Sequence, residues 1–437
     1  MSRINYRLYA SLLIMGLCPA IYSALRIYFM GQMPDPGSYS IAGQLGWLNL
    51  AYEVIQEAIL LPLYFFLGQV VKDRAIFANR VRSGLLLSAS LYTAMAVVIC
   101  VWTRPLLRWM ATSPDIIDAS VSYIRIESVS NIFGLLSSFT LVVLVTLGRE
   151  KFLYLFTGVR LVLSVLFDTL LISNFSFSLR LGVNGIGYCN ILVNGLLFAI
   201  SLWLLSREEI RIVGGGKPSF RWMRELGKVS GLSGLESLIR NMAYMGMVIR
   251  MVNVVQEQGL YWVANSFIWG WLLLPITQMS ELIKREIAID PNSLQARSRK
   301  YFTLTGLICA VWYLSTPLWK PFMSKVLGYA DVDRLFRLVL LLLGFYIVYA
   351  FQSAIHALFL GLGRTNYIFV QSLITNAVYY GGAYLLYRMG IWVPSLTGIA
   401  LLFGWGMVFG TGVSLGLYIW MLRESQKKAL SSIPNFP

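Results

Sequence analysis

The chain has 437 residues, of which 57% are hydrophobic and only 13% are charged, whereas a soluble domain carries about 25% charged residues. Apolar runs of about 20 residues recur along the whole chain, which is the length that a helix needs to cross the hydrocarbon of a bilayer. These runs are continuous rather than alternating, so they exclude membrane β-strands and predict an all-α membrane protein.

The apolar runs and the turn residues between them predict twelve transmembrane helices. We place these helices at residues 9–30, 41–67, 83–103, 119–147, 152–174, 185–206, 229–252, 259–282, 301–319, 335–361, 366–387 and 394–422.

The formal net charge of +16 would by itself suggest a nucleic-acid partner. Most Lys and Arg residues, however, fall in the two terminal segments and in the loops after even-numbered helices. By the positive-inside rule, this bias predicts a multi-pass protein of the cell membrane with both termini in the cytoplasm. The basic residues therefore indicate orientation, and we expect the lipid bilayer rather than nucleic acid as the partner.

Charged and amide side chains interrupt several of the predicted helices. The first helix carries Arg26 deep in its apolar run, and the fifth carries Arg160 and Asp168. Charges inside a membrane are costly and indicate function by default, although each can instead serve only to neutralise a neighbour. For Arg160 we expect a structural role, either pairing with an acid or extending to the membrane surface.

Three further predicted helices carry polar faces. These faces contain Asn49, Glu53, Gln56 and Glu57 on the second helix, Glu236, Arg240, Asn241 and Tyr244 on the seventh, and Gln352 and the only histidine, His356, on the tenth. Glu236 and Arg240 lie four residues apart, so we expect them to pair on one helix face. We expect His356 to form a hydrogen bond within the helix packing rather than to carry protons.

An internal repeat organises the sequence. The Leu-Gly-Arg sequence at 147–149 recurs at 362–364, roughly 215 residues later. In the same order, Val-Asn-Gly-Ile at 183–186 is answered by Leu-Thr-Gly-Ile at 396–399, and Leu-Pro at 61–62 by Leu-Pro at 274–275. Several landmarks at nearly one offset predict a structural unit that is present twice.

One break in composition divides the twelve helices into six and six. Residues 207–228 contain charged residues and three consecutive glycines, which is typical of a linker. Within this linker, residues 220–228 predict an amphipathic helix on the cytoplasmic membrane surface. We therefore expect an N-terminal lobe at 1–206, this linker, and a C-terminal lobe at 229–437.

The segment from the Leu-Gly-Arg turn at 147–149, through Phe-Asp-Thr-Leu-Leu-Ile at 167–172, to Leu-Gly-Val-Asn-Gly-Ile-Gly at 181–187 resembles the multidrug and toxic compound extrusion (MATE) transporters. Residues 41–73 and 352–376 resemble the same family, and the likeness extends over nearly the whole chain. The resemblance implies two pseudo-symmetric six-helix lobes, a central cavity open to one side at a time, and export driven by sodium or protons. From this resemblance we also expect a monomer that needs no cofactor apart from Na⁺ or H⁺ as coupling ion.

The resemblance also implies a cation site in the first lobe. MATE proteins typically form it from an Asp on the first helix, an Asn and an Asp on the fifth, and a Thr on the sixth. Here Asp168 matches the fifth-helix Asp, Ser164 stands in place of the Asn, and Asn190 in place of the Thr. Arg26 stands in place of the first-helix Asp, which is a departure from the family pattern.

An arginine beside a carboxylate does not suit a sodium or proton site. We therefore expect the guanidinium of Arg26 to pair with Asp168 and to occupy the place of the cation. Coupling would then move elsewhere, and Glu53 and Glu57 are the candidates, because two carboxylates one helical turn apart resist ionising together.

These patterns predict a secondary transporter that exports organic solutes, as in multidrug efflux, by alternating access. We assign the coupling ion to Asp168, Ser164, Asn190, Glu53 and Glu57, and the substrate to Arg26, Gln56, Arg240, Asn241, Tyr244, Gln352 and His356.

Two alternatives remain. A flippase or exporter of a lipid-linked or anionic amphiphile would use a basic cavity, for which Arg26, Arg240 and Arg250 are candidates. A membrane-embedded protein that does not transport is the more distant alternative. We do not expect an enzyme, because the sequence has one histidine and shows no nucleophile motif or phosphate-binding loop.

Overall fold

The structure, a computed structural model, describes residues 4–35, 37–210, 212, 217–289 and 294–431. Within these residues the chain is all-α and forms twelve helical segments, which confirms the predicted fold class. The segments are α1 (Tyr6–Gly31), α2 (Ser38–Gly68), α3 (Arg74–Trp109), α4 (Pro114–Thr146), α5 (Lys151–Leu171), α6 (Gly182–Arg207), α7 (223–254), α8 (258–289), α9 (Leu294–Lys325), α10 (Val332–Gly361), α11 (365–388) and α12 (Leu396–Ser431).

The described helices are built for a bilayer. Nine of them are long and apolar enough to cross a membrane, and α8 is a tenth candidate that bends by 49° between Leu272 and Leu274. The other two, α7 and α11, contain a π-helical segment in their middle. Large apolar side chains such as Leu314, which is 75% exposed, and Val162, which is 64% exposed, are stable in contact with lipid and would be unfavourable in water.

Helices α3 and α7 begin well before their predicted starts at 83 and 229. Helix α3 begins at Arg74 because the carboxylate of Asp73 accepts hydrogen bonds from the backbone N–H groups of Ala75 and Ile76 at 3.1 and 3.0 Å, an N-cap that starts the helix well before its apolar run. Helix α7 begins at Met223, so most of the amphipathic segment expected at 220–228 is the first part of α7. Residues 211 and 213–216 of the expected linker lie outside the described residues.

The chain packs as two compact units. The first contains Cys18–Val263 and Met323–Ala330, and the second contains Met1–Leu17, Ala264–Phe322 and Asp331–Pro437. In the first unit, α4 packs closely on α3 and α6, and α2 on α7; in the second, α10 packs on α12 and α8. These units follow packing and not the repeat, so the lobes expected at 1–206 and 229–437 stay a prediction.

The two copies of the Leu-Gly-Arg sequence adopt the same turn. Gly148 and Gly363 both have a positive φ, of 77° and 68°, which glycine adopts without the strain of a Cβ. In each copy the N–H of the following arginine donates to the carbonyl five residues earlier, Arg149 to Leu144 at 3.0 Å and Arg364 to Phe359 at 2.8 Å. This Schellman turn ends α4 and α10 alike, so the sequence repeat is also a repeat of local structure.

A glycine in the second unit tests how closely its helices approach. A Cβ added to Gly404 on α12 would lie 2.3 Å from the ring of Phe345 on α10, whereas one added to Gly412 on the same helix would meet nothing within 4 Å. We expect Gly404→Ala to lower the unfolding free energy by about 1–3 kcal/mol, because the ring must move in a packed interface. The apparent melting temperature of the purified protein in detergent measures this effect.

Gly412→Ala is the matched control, since it makes the same chemical change on the same helix. It should leave the melting temperature unchanged or raise it, because alanine favours the helix over glycine. Equal melting temperatures for the two variants would contradict the close contact between α10 and α12.

Candidate functional site

A buried polar network lies among four helices of the first unit. It comprises Arg26 on α1, Glu127 on α4, Asp168 on α5 and Asn190 on α6. Asp168 is fully buried, Glu127 is 4% exposed, and the side chain of Arg26 is 13% exposed. Charges at such depth are stable only when they are paired and hydrogen-bonded.

Arg26 holds this network together. Its Nε and Nη2 donate to the two carboxylate oxygens of Asp168, each at 3.0 Å, which is the bidentate geometry that makes arginine–carboxylate pairs strong. Nη2 also donates to Oδ1 of Asn190 at 3.1 Å. The amide of Asn190 in turn donates to Oε1 of Glu127 at 2.7 Å. The pair of Arg26 with Asp168 that the sequence predicts is therefore present.

The glycines of the Leu-Gly-Val-Asn-Gly-Ile-Gly motif explain how α6 reaches this network. A Cβ on Gly185 would lie 2.5 Å from Ile172, and one on Gly187 would lie 2.6 Å from Ile126. Gly185 thus allows α6 to approach the end of α5, and Gly187 allows it to approach α4 beside Glu127. Asn190 lies one helical turn beyond Gly187 and bridges Arg26 to that glutamate.

Glu127 is the member of the network that the predicted site residues omit. The expected start of the fourth helix, at 119, placed Glu127 near a membrane surface, where a carboxylate is common and does not indicate a functional site. Helix α4 instead begins at Pro114, so Glu127 lies about three and a half turns inside it. The available signal was a carboxylate within an apolar run, and an earlier helix start would have revealed it.

A second cluster of charges joins α2 and α7. Nη2 of Arg240 donates to Glu53 at 3.1 Å and to Glu57 at 3.0 Å, and Nη1 donates to Glu236 at 3.2 Å. The expected pairing of Glu236 with Arg240 is thus present, and the structure adds both carboxylates of α2. This cluster is more exposed than the first, since the side chains of Glu53 and Arg240 are both 39% exposed.

The two clusters have related charge balances but different surroundings. The first combines one guanidinium with two carboxylates, and the second combines one guanidinium with three. In each cluster the carboxylates outnumber the cation, so full ionisation would leave net negative charge. The second cluster is the more exposed of the two.

Other residues predicted for the site lie around these clusters in the first unit. Asn241 is 3% exposed and donates from its amide to the carbonyl of Leu50 at 3.0 Å, and the hydroxyl of Tyr244 lies 2.8 Å from that of Tyr261. Ser164 is 3% exposed and lies one turn from Asp168 on α5. Gln56 is exposed on α2.

Two predicted site residues lie in the second unit. Oε1 of Gln352 accepts a hydrogen bond from the hydroxyl of Thr411 at 3.2 Å. Nε2 of His356 lies 2.9 Å from Oγ of Ser414, which agrees with the packing role expected for this histidine. Both contacts join α10 to α12.

Comparisons with known proteins identify the class of fold. Residues 71–170 match the sequence model of the MatE family, whereas no curated protein matches the chain. One similar structure is an inward-facing multidrug resistance MATE family transporter of the MOP superfamily, with 15% identity, a TM-score of 0.72, and coverage of 97% of this chain and 99% of the other. An outward-facing form of such a transporter has 15% identity and a TM-score of 0.65, with coverage of 97% and 96%.

The description of a third similar structure suggests that its function is different. It is a MOP superfamily transporter from Pyrococcus furiosus, whose binding pocket is said to have reverse polarity, and it has 15% identity, a TM-score of 0.67 and coverage of 97% and 96%. Together the comparisons show that the chain has the fold of a multi-pass membrane transporter. More particularly, this is the twelve-helix MATE fold, and the resemblance recognised from the motifs is confirmed.

The buried pair predicts a strong dependence of each partner on the other. We expect Arg26→Gln to destabilise the protein by about 3–5 kcal/mol, because it leaves the carboxylate of Asp168 buried without its cation. The double variant Arg26→Gln/Asp168→Asn should recover most of this loss, because two neutral amides can hydrogen-bond in nearly the same space. Apparent melting temperatures of the two single variants and the double variant measure the coupling.

The control is Arg104→Gln, which removes an exposed guanidinium paired with Asp118 and should change stability little. Additive losses in the double variant at 26 and 168 would contradict the paired arrangement.

Proposed function

We propose that the chain is a secondary active transporter that exports organic solutes by alternating access, driven by a proton or sodium gradient. The observation that carries this proposal is a pair of acid-rich clusters on the helices of a MATE fold, one buried and one partly exposed. In this proposal the protein is a monomeric antiporter of the cell membrane with both termini in the cytoplasm.

The position of Arg26 supports a coupling site different from the one that the family resemblance implies. A guanidinium bound through both carboxylate oxygens of Asp168 fills the position where the resemblance would put a cation ligand. A monovalent cation there would have to displace a fixed positive charge, which is unfavourable at this depth. Asp168, Ser164 and Asn190 therefore serve in the proposal as a structural centre rather than as the coupling site.

Glu53 and Glu57 are the better candidates for coupling. Both bind the same nitrogen of Arg240, and Glu236 binds the other. Three carboxylates around one guanidinium favour the uptake of one proton, since neighbouring acids do not all ionise readily. The partial exposure of Glu53 and Glu57 provides a route for that proton from water. A proton is thus favoured over sodium.

The second candidate function is the transport of an anionic substrate. The structural neighbour from Pyrococcus furiosus is described as having a binding pocket of reverse polarity. Export of an anionic amphiphile or flipping of a lipid would follow if this chain shared that property. Of the cations first considered for such a role, Arg26 and Arg240 are engaged by carboxylates, and Nε of Arg250 donates to the backbone carbonyl of Trp109 at 2.8 Å. Arg26 and Arg240 therefore offer little free positive charge, whereas the neutral carbonyl of Trp109 leaves the charge of Arg250 in place.

The coupling proposal is tested in proteoliposomes with an imposed proton gradient, sodium gradient or no gradient, using a cationic dye and a phospholipid reporter in parallel. We expect the Glu53→Gln/Glu57→Gln variant to transport no faster with a gradient than without one, because the acid pair that takes up the proton is gone. Asp168→Asn should keep its dependence on the gradient.

Glu281→Gln is the matched control, since Glu281 is an exposed carboxylate paired with Lys284, and it should behave as the unmodified protein. If Asp168→Asn alone removes the dependence on the gradient, coupling resides at the position expected for the family and the relocation is wrong. Gradient-independent movement of the phospholipid reporter alone would favour the flippase.

A further inference from the structure

A polar cavity of about 220 Å³ lies in the first unit, and its described lining contains no carboxylate. Its lining residues come from five helices: Asn49, Tyr52 and Gln56 of α2, Tyr92 of α3, Asn131, Gly134, Leu135 and Ser138 of α4, Arg160 of α5, and Asn194 of α6. Arg160 is thus the only ionised side chain among the described residues of the lining.

Arg160 lies near the middle of α5, about nine residues from Lys151 and eleven from Leu171. At 1.5 Å per residue this is more than about 13 Å from either end. Pairing with an acid, which the sequence suggested, does not occur, because no carboxylate among the described residues lies within ion-pair distance of Arg160. Its guanidinium instead lines the cavity.

The neutral lining also offers unused hydrogen-bonding groups. Among the described residues, the amide nitrogen of Asn131 and the amide oxygen of Asn194 are buried without a partner. The amide nitrogen of Asn194 is fixed in the opposite direction, since it donates to the carbonyl and hydroxyl oxygens of Ser130 at 3.4 and 3.1 Å. Buried polar atoms of this kind are normally satisfied by protein, water or a ligand, so both amides are available to a molecule that enters the cavity.

We propose that this cavity binds an oxyanion, a phosphate or carboxylate group of the transported molecule, with Arg160 as the main ligand and Asn131 as a second donor. A guanidinium presents parallel N–H groups that match two oxygens of such an anion. The amide oxygen of Asn194 accepts from a protonated oxygen or a neighbouring hydroxyl of the same molecule. This inference rests on the transporter proposal and develops its second candidate, a substrate that carries an anionic group.

The size of the cavity limits what enters it. Pockets for drug-sized ligands have volumes of about 300–1,000 Å³, which is larger than the 220 Å³ found here. An anionic headgroup therefore fits inside, while an attached apolar portion would lie outside the cavity. The source of the group, a soluble acid or a lipid headgroup, follows from the experiment and not from the cavity alone.

Binding is measured with the full chain in nanodiscs of phosphatidylcholine, a lipid without net charge. Inorganic phosphate is titrated at constant ionic strength against chloride, and the melting temperature reports saturable stabilisation. We expect Arg160→Gln to weaken the apparent affinity by at least about tenfold, the effect of losing one charge-assisted hydrogen bond.

A second variant distinguishes loss of phosphate binding from loss of folding. Asn131→Asp keeps Arg160 and nearly the same shape, but its carboxylate supplies the missing counter-charge and should abolish phosphate binding while stabilising the protein. The matched control is Arg149→Gln, which removes a surface guanidinium paired with Glu208 and should bind phosphate normally.

A parallel set of discs contains phosphatidic acid, which carries the same phosphate group on a lipid. Stabilisation by this lipid with no further effect of free phosphate identifies a headgroup site, and equal stabilisation by free phosphate in both discs identifies a site for soluble anions. Either result supports the proposal provided that Arg160→Gln removes it.

The proposal is overturned if phosphate and phosphatidic acid stabilise the protein no more than chloride, or if Arg160→Gln and Asn131→Asp bind as tightly as Arg149→Gln. No gradient is used, so a negative result removes the anion site and leaves gradient-driven export standing. Intact anion binding without gradient-driven transport would instead remove the transporter proposal.

Discussion

The bidentate pair of Arg26 with Asp168 is the contact on which the interior of the first unit depends. An isolated charge of either sign is strongly unfavourable in the apolar part of a membrane, so each partner is stable there only beside the other. The pair also fixes the positions of four helices, because Asn190 extends it to Glu127 and thereby joins α1, α4, α5 and α6. The pair is therefore a fixed polar centre at the position where the resemblance implies a cation site.

Three arginines within the membrane helices meet the same physical constraint in different ways. Arg26 binds one carboxylate through two oxygens. Arg240 is shared by three carboxylates, and its side chain is more exposed than that of Arg26. Arg160 has no acid beside it among the described residues and faces a neutral polar cavity. The first arrangement is a closed ion pair, and the second is the one to which we assign proton exchange in the proposed function. The third leaves a guanidinium without a carboxylate partner among the described residues, and the proposed substrate supplies the anion.

Glycines decide how closely these helices approach. Gly185 and Gly187 bring α6 against its neighbours beside the buried network, and Gly404 does the same for α12 against α10. Within a membrane, helices gain little from excluding lipid from one another, so close contact at small residues supplies much of the packing energy. The repeated Schellman turns at Gly148 and Gly363 add a second constraint by ending equivalent helices in the same way.

The sequence by itself determined the all-α membrane class, the twelve helices, and the likeness to MATE transporters, because apolar length and the order of motifs are properties of the chain. It also predicted that Arg26 pairs with Asp168, since Arg26 stands where the resemblance implies an Asp and is therefore opposite in charge to Asp168. Only the tertiary structure decided that Glu127 completes this network, that Arg240 gathers Glu53 and Glu57, and that Arg160 faces a cavity. These contacts join residues far apart in the chain, and their geometry depends on how helices rotate and approach, which local periodicity does not specify.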